Sequence, residues 1–152
     1  MSNDHRELSN ESAEELHENE HWTEVFRHEM ESGSDDYSTP WWEDCYAQLV
    51  TAVDNCLSPF KPRSVLEAGC GSGKATLLLK TPFNRIVLLD FSEAALRYAR
   101  HLTERYHKKN VETIHGNIFS LPFPDTEFEF TWNTGVLEHY EPEKIVEMLA
   151  EM

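Results

Sequence analysis

The chain has 152 residues, 39% apolar and 11% aromatic, with a formal charge of −15, which suits one soluble domain and disfavours nucleic acid or anionic membranes as partners. No apolar run approaches the ~18 residues of a membrane span, and the polar start Met1-Ser2-Asn3-Asp4-His5 lacks a signal peptide's basic and apolar regions. A cytoplasmic location is therefore expected, and Cys45, Cys56 and Cys70, an odd three without C-x-x-C spacing, suggest reduced thiols rather than a disulfide framework or zinc ribbon.

Residues 1–60 hold 15 of the 28 acidic residues and two of the 13 basic ones. The chain therefore divides into an acidic helical arm, 1–60, with a disordered start, and a near-neutral domain, 61–152; the arm reads as a solvated leader, with a substrate-covering arm as the alternative. Within the arm, Leu16, Trp22, Val25, Phe26 and Met30 recur at approximate helical spacing from Ser12 to about Glu31. His17-Glu18-Asn19-Glu20-His21 reads H-E-x-x-H, but its charged flanks favour a solvated surface, and no metal is expected. Ser32-Gly33-Ser34-Asp35-Asp36 predicts a linker. After Pro40, the set Trp42, Tyr46, Leu49, Val50, Val53 and Leu57 predicts a second helix. Tyr37, Trp41 and Trp42 could cover a ligand, though core packing suits at least one Trp better.

From residue 61 the pattern alternates. Ser64–Ala68 reads as a buried strand ending at glycine, Lys74–Lys80 as a helix, and Ile86–Leu89 as a second strand ending at Asp90. Ser92 is placed to cap a helix carrying Ala95, Ala99, Leu102 and Tyr106 and stopping near Asn110. Val111–His115 is a third strand; Phe128, Phe130 and Trp132, alternating with Glu129 and Thr131, make a fourth; and Pro142–Met152 starts a helix. Strands alternating with helices predict an α/β fold, a Rossmann-like, doubly wound parallel sheet.

Ligands of such sheets bind beyond the carboxyl ends of the strands, where Gly69, Gly71, Gly73, Asp90, Asn117 and Asn133 fall. A glycine-rich turn alone fits several ligand classes. A P-loop would need glycine where Ala68 stands and a hydroxyl where Ala75 stands, and a dinucleotide fingerprint would need glycine in place of Lys74.

What does fit is V-L-E-A-G-C-G-S-G, then Asp90 ending the next strand, then G-N-I-F-S-L-P-F-P-D-T-E-F-E-F and V-L-E-H. On these motifs, residues 64 to about 145 resemble the class I S-adenosylmethionine-dependent methyltransferases, in particular the type 11-like group with small-molecule and quinone methyltransferases. The resemblance implies S-adenosylmethionine as cofactor. Glu67, Gly69, Gly71 and Gly73 would line its methionine and ribose part, Asp90 would accept from the ribose hydroxyls with Phe91 beside the adenine, and Asn117 and Ile118 would contact the adenine. Asn117 departs from the family's usual Asp, although an Asn carbonyl can still accept from the adenine amino group. Asn133 and Thr134 would face the methionine end, and Glu138 or His139 could serve an acceptor as base or instead cap the next helix.

The sulfonium already activates the methyl group, so alignment and desolvation are the protein's main task, and no catalytic residue is assigned. The acceptor would be a small molecule or a protein group. The family fold has seven strands and about four are recognisable here, which predicts a C-terminally truncated domain. Its fourth strand would be an exposed edge carrying Phe128, Phe130 and Trp132, open to self-association or a partner. Two other readings remain: a non-catalytic cofactor-binding module or remnant, and a nicotinamide-dependent oxidoreductase fragment.

Overall fold

A computed structural model describes residues 13–32 and 40–152, with side chains over 20–31 and 44–152. The start expected to be disordered, residues 1–12, the linker over 33–36, Tyr37 and the side chains of His17, Trp41 and Trp42 lie outside the described residues. Two helices, α1 (Ala13–Ser32) and α2 (Pro40–Leu57), precede the alternating part of the chain.

The sheet has four parallel strands in the order β3-β2-β1-β4: β1 (Ser64–Ala68), β2 (Arg85–Asp90), β3 (Val111–His115) and β4 (Phe130–Trp132). In register, Glu67 lies beside Leu88 of β2 and Trp132 of β4, and Asp90 beside His115. The order reverses at β1, so chain connections leave β1 in opposite directions and a crevice opens at the carboxyl ends of β1 and β4.

Both faces of the sheet are covered, which explains why β1 and β2 read as unbroken apolar runs. On one face, Val65, Ile86 and Leu88 pack with Leu77, Tyr98, Leu102 and Trp132. These bring in α3 (Lys74–Leu78) and α4 (Glu93–Arg105). On the other face, Leu66, Ala68, Val87 and Leu89 pack with Ile118 and with Met148 of α5 (Pro142–Glu151). Full burial of a Leu or Met side chain stabilises by roughly 1.5–3 kcal/mol, so this two-sided packing is the main source of cohesion.

Ser92 caps α4 as expected, its hydroxyl accepting from the Ala95 N–H at 3.4 Å. Three predicted boundaries move. Helix α3 stops at Leu78 because Asp54 of α2 takes the N–H groups of Lys80 and Thr81 at 3.0 Å each, and the Thr81 hydroxyl at 2.7 Å. Helix α4 stops at Arg105, and His107 then turns into the left-handed region at φ 52°. Strand β4 begins at Phe130 rather than Phe128, whose ring meets Phe123 edge-on at 4.9 Å.

The expectation of an exposed aromatic edge is also corrected. Trp132 is buried, its indole N–H donating to the Thr76 hydroxyl at 2.8 Å, while Phe128 and Phe130 are half-buried. Among the described residues the outer edge of β4 is unpaired, but it offers backbone groups more than aromatic surface.

Candidate functional site

Just beyond the ends of β1, β2 and β3, the chain encloses a cavity of about 990 Å³. Glu67, Gly69, Cys70, Gly71, Ser72 and Lys74 form one wall; Asp90, Phe91, His115, Asn117 and Ile118 form a second; and Thr134, Gly135, Val136, Glu138, His139 and Tyr140 close a third. The first wall turns sharply because the N–H groups of Gly69 and Cys70 both donate to the Leu89 carbonyl, at 2.8 and 2.9 Å. Gly69 and Gly71 hold φ of +72° and +54°, which strains any residue with a Cβ.

Asp90 ties the first two walls together. One carboxylate oxygen accepts from the Gly71 N–H at 2.8 Å and the other from the Ser92 N–H at 2.9 Å. Each oxygen keeps a lone pair for a ligand donor. Phe91 is held by its carbonyl, which accepts from the His115 ring at 2.8 Å. Asn117 is exposed and spends its side-chain oxygen on the Phe119 N–H at 2.9 Å, a local turn that shapes the rim.

Two of the residues expected here lie off the wall. Gly73 faces inward, where an added Cβ would meet Leu88 at 2.6 Å, so its role is close packing of the turn on the sheet. Asn133 donates to the Met152 sulfur at 3.4 Å and does not line the cavity. Glu138 and His139 do line it, on a single 3-10 turn (Leu137–His139) after β4.

A glycine turn after β1, an acidic residue ending β2 and apolar contacts after β3, all facing one crevice, coincide with a family match over residues 65–152, described as a methyltransferase domain. The chain belongs to this methyltransferase domain family. It is 38% identical over 77 residues to a probable S-adenosylmethionine-dependent methyltransferase of Mycolicibacterium smegmatis, covering 51% of this chain and 28% of that protein. It is 36% identical over 73 residues to the demethylmenaquinone methyltransferase of Listeria welshimeri, covering 46% of this chain and 31% of that one. Among solved structures, the PH0226 protein of Pyrococcus horikoshii OT3 superposes with a TM-score of 0.64 at 27% identity, covering 76% of this chain and 53% of that one. The chain thus spans under a third of the length of these curated relatives.

Within the methyltransferase domain, Glu67 is the electrostatic anomaly. It is fully buried, and among the described residues neither carboxyl oxygen has a hydrogen-bond partner. Burial pushes its carboxyl up to about 8; the nearby Thr76 hydroxyl and N–H pull the other way, and the Asp90 charge adds to the rise. Asp90 is itself raised by burial, opposed by the N–H groups of Ser92 and Gly71 and by His115. Burial, with the charges of Asp90 and Glu67, also holds the Cys70 thiol well above its ordinary range.

The sequence left a substrate-covering arm open as an alternative but did not assign the residues of this fourth wall. Trp22, Val25, Phe26 and Glu29 of α1, with Cys45, Tyr46 and Leu49 of α2, roof the cavity. Phe26 reaches the glycine turn so closely that a Cβ on Gly71 would lie 2.7 Å from its ring. Trp22 lies beside Phe26 at 6.0 Å and meets His139 edge-on at 5.1 Å, so the roof touches both lips of the crevice. The positions i, i+3, i+4 and i+7 from Trp22 were the available signal, but they mark a buried helix face without saying what it covers. Among the described residues there is no cluster of metal-ligating side chains, and no helix is long and apolar enough to cross a membrane.

Proposed function

We propose that this domain binds S-adenosylmethionine in the crevice and transfers its methyl group to a small-molecule or protein acceptor. The observation that carries the reading is the convergence on one cavity of the glycine turn, the buried Glu67 carboxylate and the Asp90 carboxylate. The donor set fits the cofactor: unpartnered carboxylate oxygens suit its cationic methionine end, and Asp90 suits a pair of ribose hydroxyls. Phe91 and Ile118 would flank the adenine and Asn117 its amino group, with Gly69 and Gly71 along the methionine and ribose. Gly73 would shape the turn without touching the ligand, and Asn133 would act through Met152. The relatives' names support the same chemistry. Residues 61–152 would carry the cofactor core, the acidic arm would supply the roof, and the reduced thiols suit the cytoplasm.

When bound, the cofactor would supply an electrophilic methyl carbon, and the protein's part is to orient the acceptor and exclude water. Calorimetric titration with S-adenosylhomocysteine tests the reading. Saturable binding is expected, and Asp90→Ala should weaken it roughly ten- to hundredfold by removing a charged acceptor. A folded protein with no heat of binding, or an Asp90→Ala variant of unchanged affinity, would sink the reading.

A further inference from the structure

The roof of the cavity contains a carboxylate where helix packing would place an apolar side chain. Trp22, Val25, Phe26 and Glu29 fall on one face of α1, and all four line the cavity. Placing a carboxylate on the covered stripe of a helix costs desolvation energy, and such positions are enriched at functional sites. Glu29 is indeed half-buried, and Lys74 and His28 act on it as cations.

The rest of the wall has the same sign. Four acidic side chains, Glu29, Glu67, Asp90 and Glu138, with Glu67 kept protonated by its burial, face the cavity against one lysine, Lys74, whose ammonium sits over the Tyr98 ring at 5.7 Å. Glu67 and Asp90 stand at the strand ends, where the proposed cofactor lies. Glu29 and Glu138 line the same cavity from α1 and from the 3-10 turn, and Trp22, Phe26, Tyr46 and Tyr140 add aromatic wall. Aromatic faces combined with carboxylates attract organic cations and repel anions.

We propose that the space beneath α1 is the acceptor subsite and that it selects an organic amine, bound as its ammonium between the Trp22 and Phe26 rings and the Glu29 carboxylate. This rests on the methyltransferase reading above. An ammonium has no lone pair, so one N–H proton must pass to a carboxylate of this wall or to water. The nitrogen then attacks the methyl carbon, the N–C bond forms, and the C–S bond breaks with its pair remaining on sulfur.

Three indoles of similar shape and different charge provide the test: tryptamine, tryptophol and indole-3-acetate, each titrated into the full chain saturated with S-adenosylhomocysteine. The expected order of affinity is tryptamine, then tryptophol, then indole-3-acetate, with roughly tenfold between cation and neutral ring as one charge contact is gained. Glu29→Gln should bring tryptamine down to tryptophol while leaving S-adenosylhomocysteine binding unchanged. If Glu29 serves only to pin α1 to Lys74, the variant weakens all three indoles alike. Equal binding of the three indoles, preference for indole-3-acetate, that uniform loss, or no indole binding to protein that does bind S-adenosylhomocysteine would each overturn the amine assignment. Failure of S-adenosylhomocysteine itself to bind would instead remove the methyltransferase reading.

Discussion

Glu67 makes the folded protein hold a proton that the unfolded chain releases. Its carboxyl is raised from 4.5 to about 8 by burial, so over that interval the folded state binds more protons and stability falls as pH rises. The contribution is fully present below about 4.5 and is lost as pH passes through about 8. Glu67→Gln should therefore melt higher than the parent at pH 8 and show a flatter dependence of Tm between pH 5.5 and 8.5, by scanning calorimetry. A parent whose Tm rises across that interval would contradict this account. At this scale the sequence was most legible where chemistry and backbone coincide. Glu67, Gly69, Gly71, Asp90, Phe91, Asn117 and Ile118 all reach the cavity wall. The positions of Asn133 and Gly73 were not legible, because strand-end location does not specify which way a side chain or Cα face turns.

Helix α3 is only five residues long, and its place depends on polar ties as well as packing. The Thr76 hydroxyl accepts the buried Trp132 indole N–H and so joins α3 to β4 through the core. Thr76→Val keeps the shape but leaves that N–H without a partner, which costs about 1–3 kcal/mol. Urea unfolding should register the loss as a lower midpoint with unchanged m-value; a midpoint equal to the parent's would show that the tie contributes nothing. Strands β1 and β3 were read from the sequence with correct ends, because short apolar or alternating runs bounded by Gly, Asn or charged residues leave little freedom. The ends of α3, α4 and β4 were not, since each is set by a distant partner or a backbone turn: Asp54 for α3, His107 for α4 and Phe123 for β4. Helix α1 was legible as a helix, and a covering role for the arm was an open alternative, but what it covers was not legible, because that lies about 45 residues further along the chain, at Gly71.

At the scale of the whole molecule, the sheet order creates a crevice and the flanking helices line it. A ligand that occupies it adds binding free energy to the folded state alone, about 2.7 kcal/mol at a hundred times Kd. For a chain of this length that should raise Tm by roughly 5–10 °C, measurable by differential scanning fluorimetry with S-adenosylhomocysteine. The Asp90→Ala variant at the same concentration should show little of the shift. A parent that melts at the same temperature with and without saturating ligand would place the ligand elsewhere or nowhere.

The three cysteines divide by exposure. Cys45 and Cys56 are exposed, whereas Cys70 is buried within the glycine turn and its thiol is held protonated by burial and by the two carboxylates beside it. A thiol reagent at neutral pH should therefore modify two sulfurs quickly and the third only when the turn opens. Counted by mass, the slow third adduct becomes an internal clock for the opening of the crevice, and any molecule that seats against Gly69 and Gly71 would make that clock run slower.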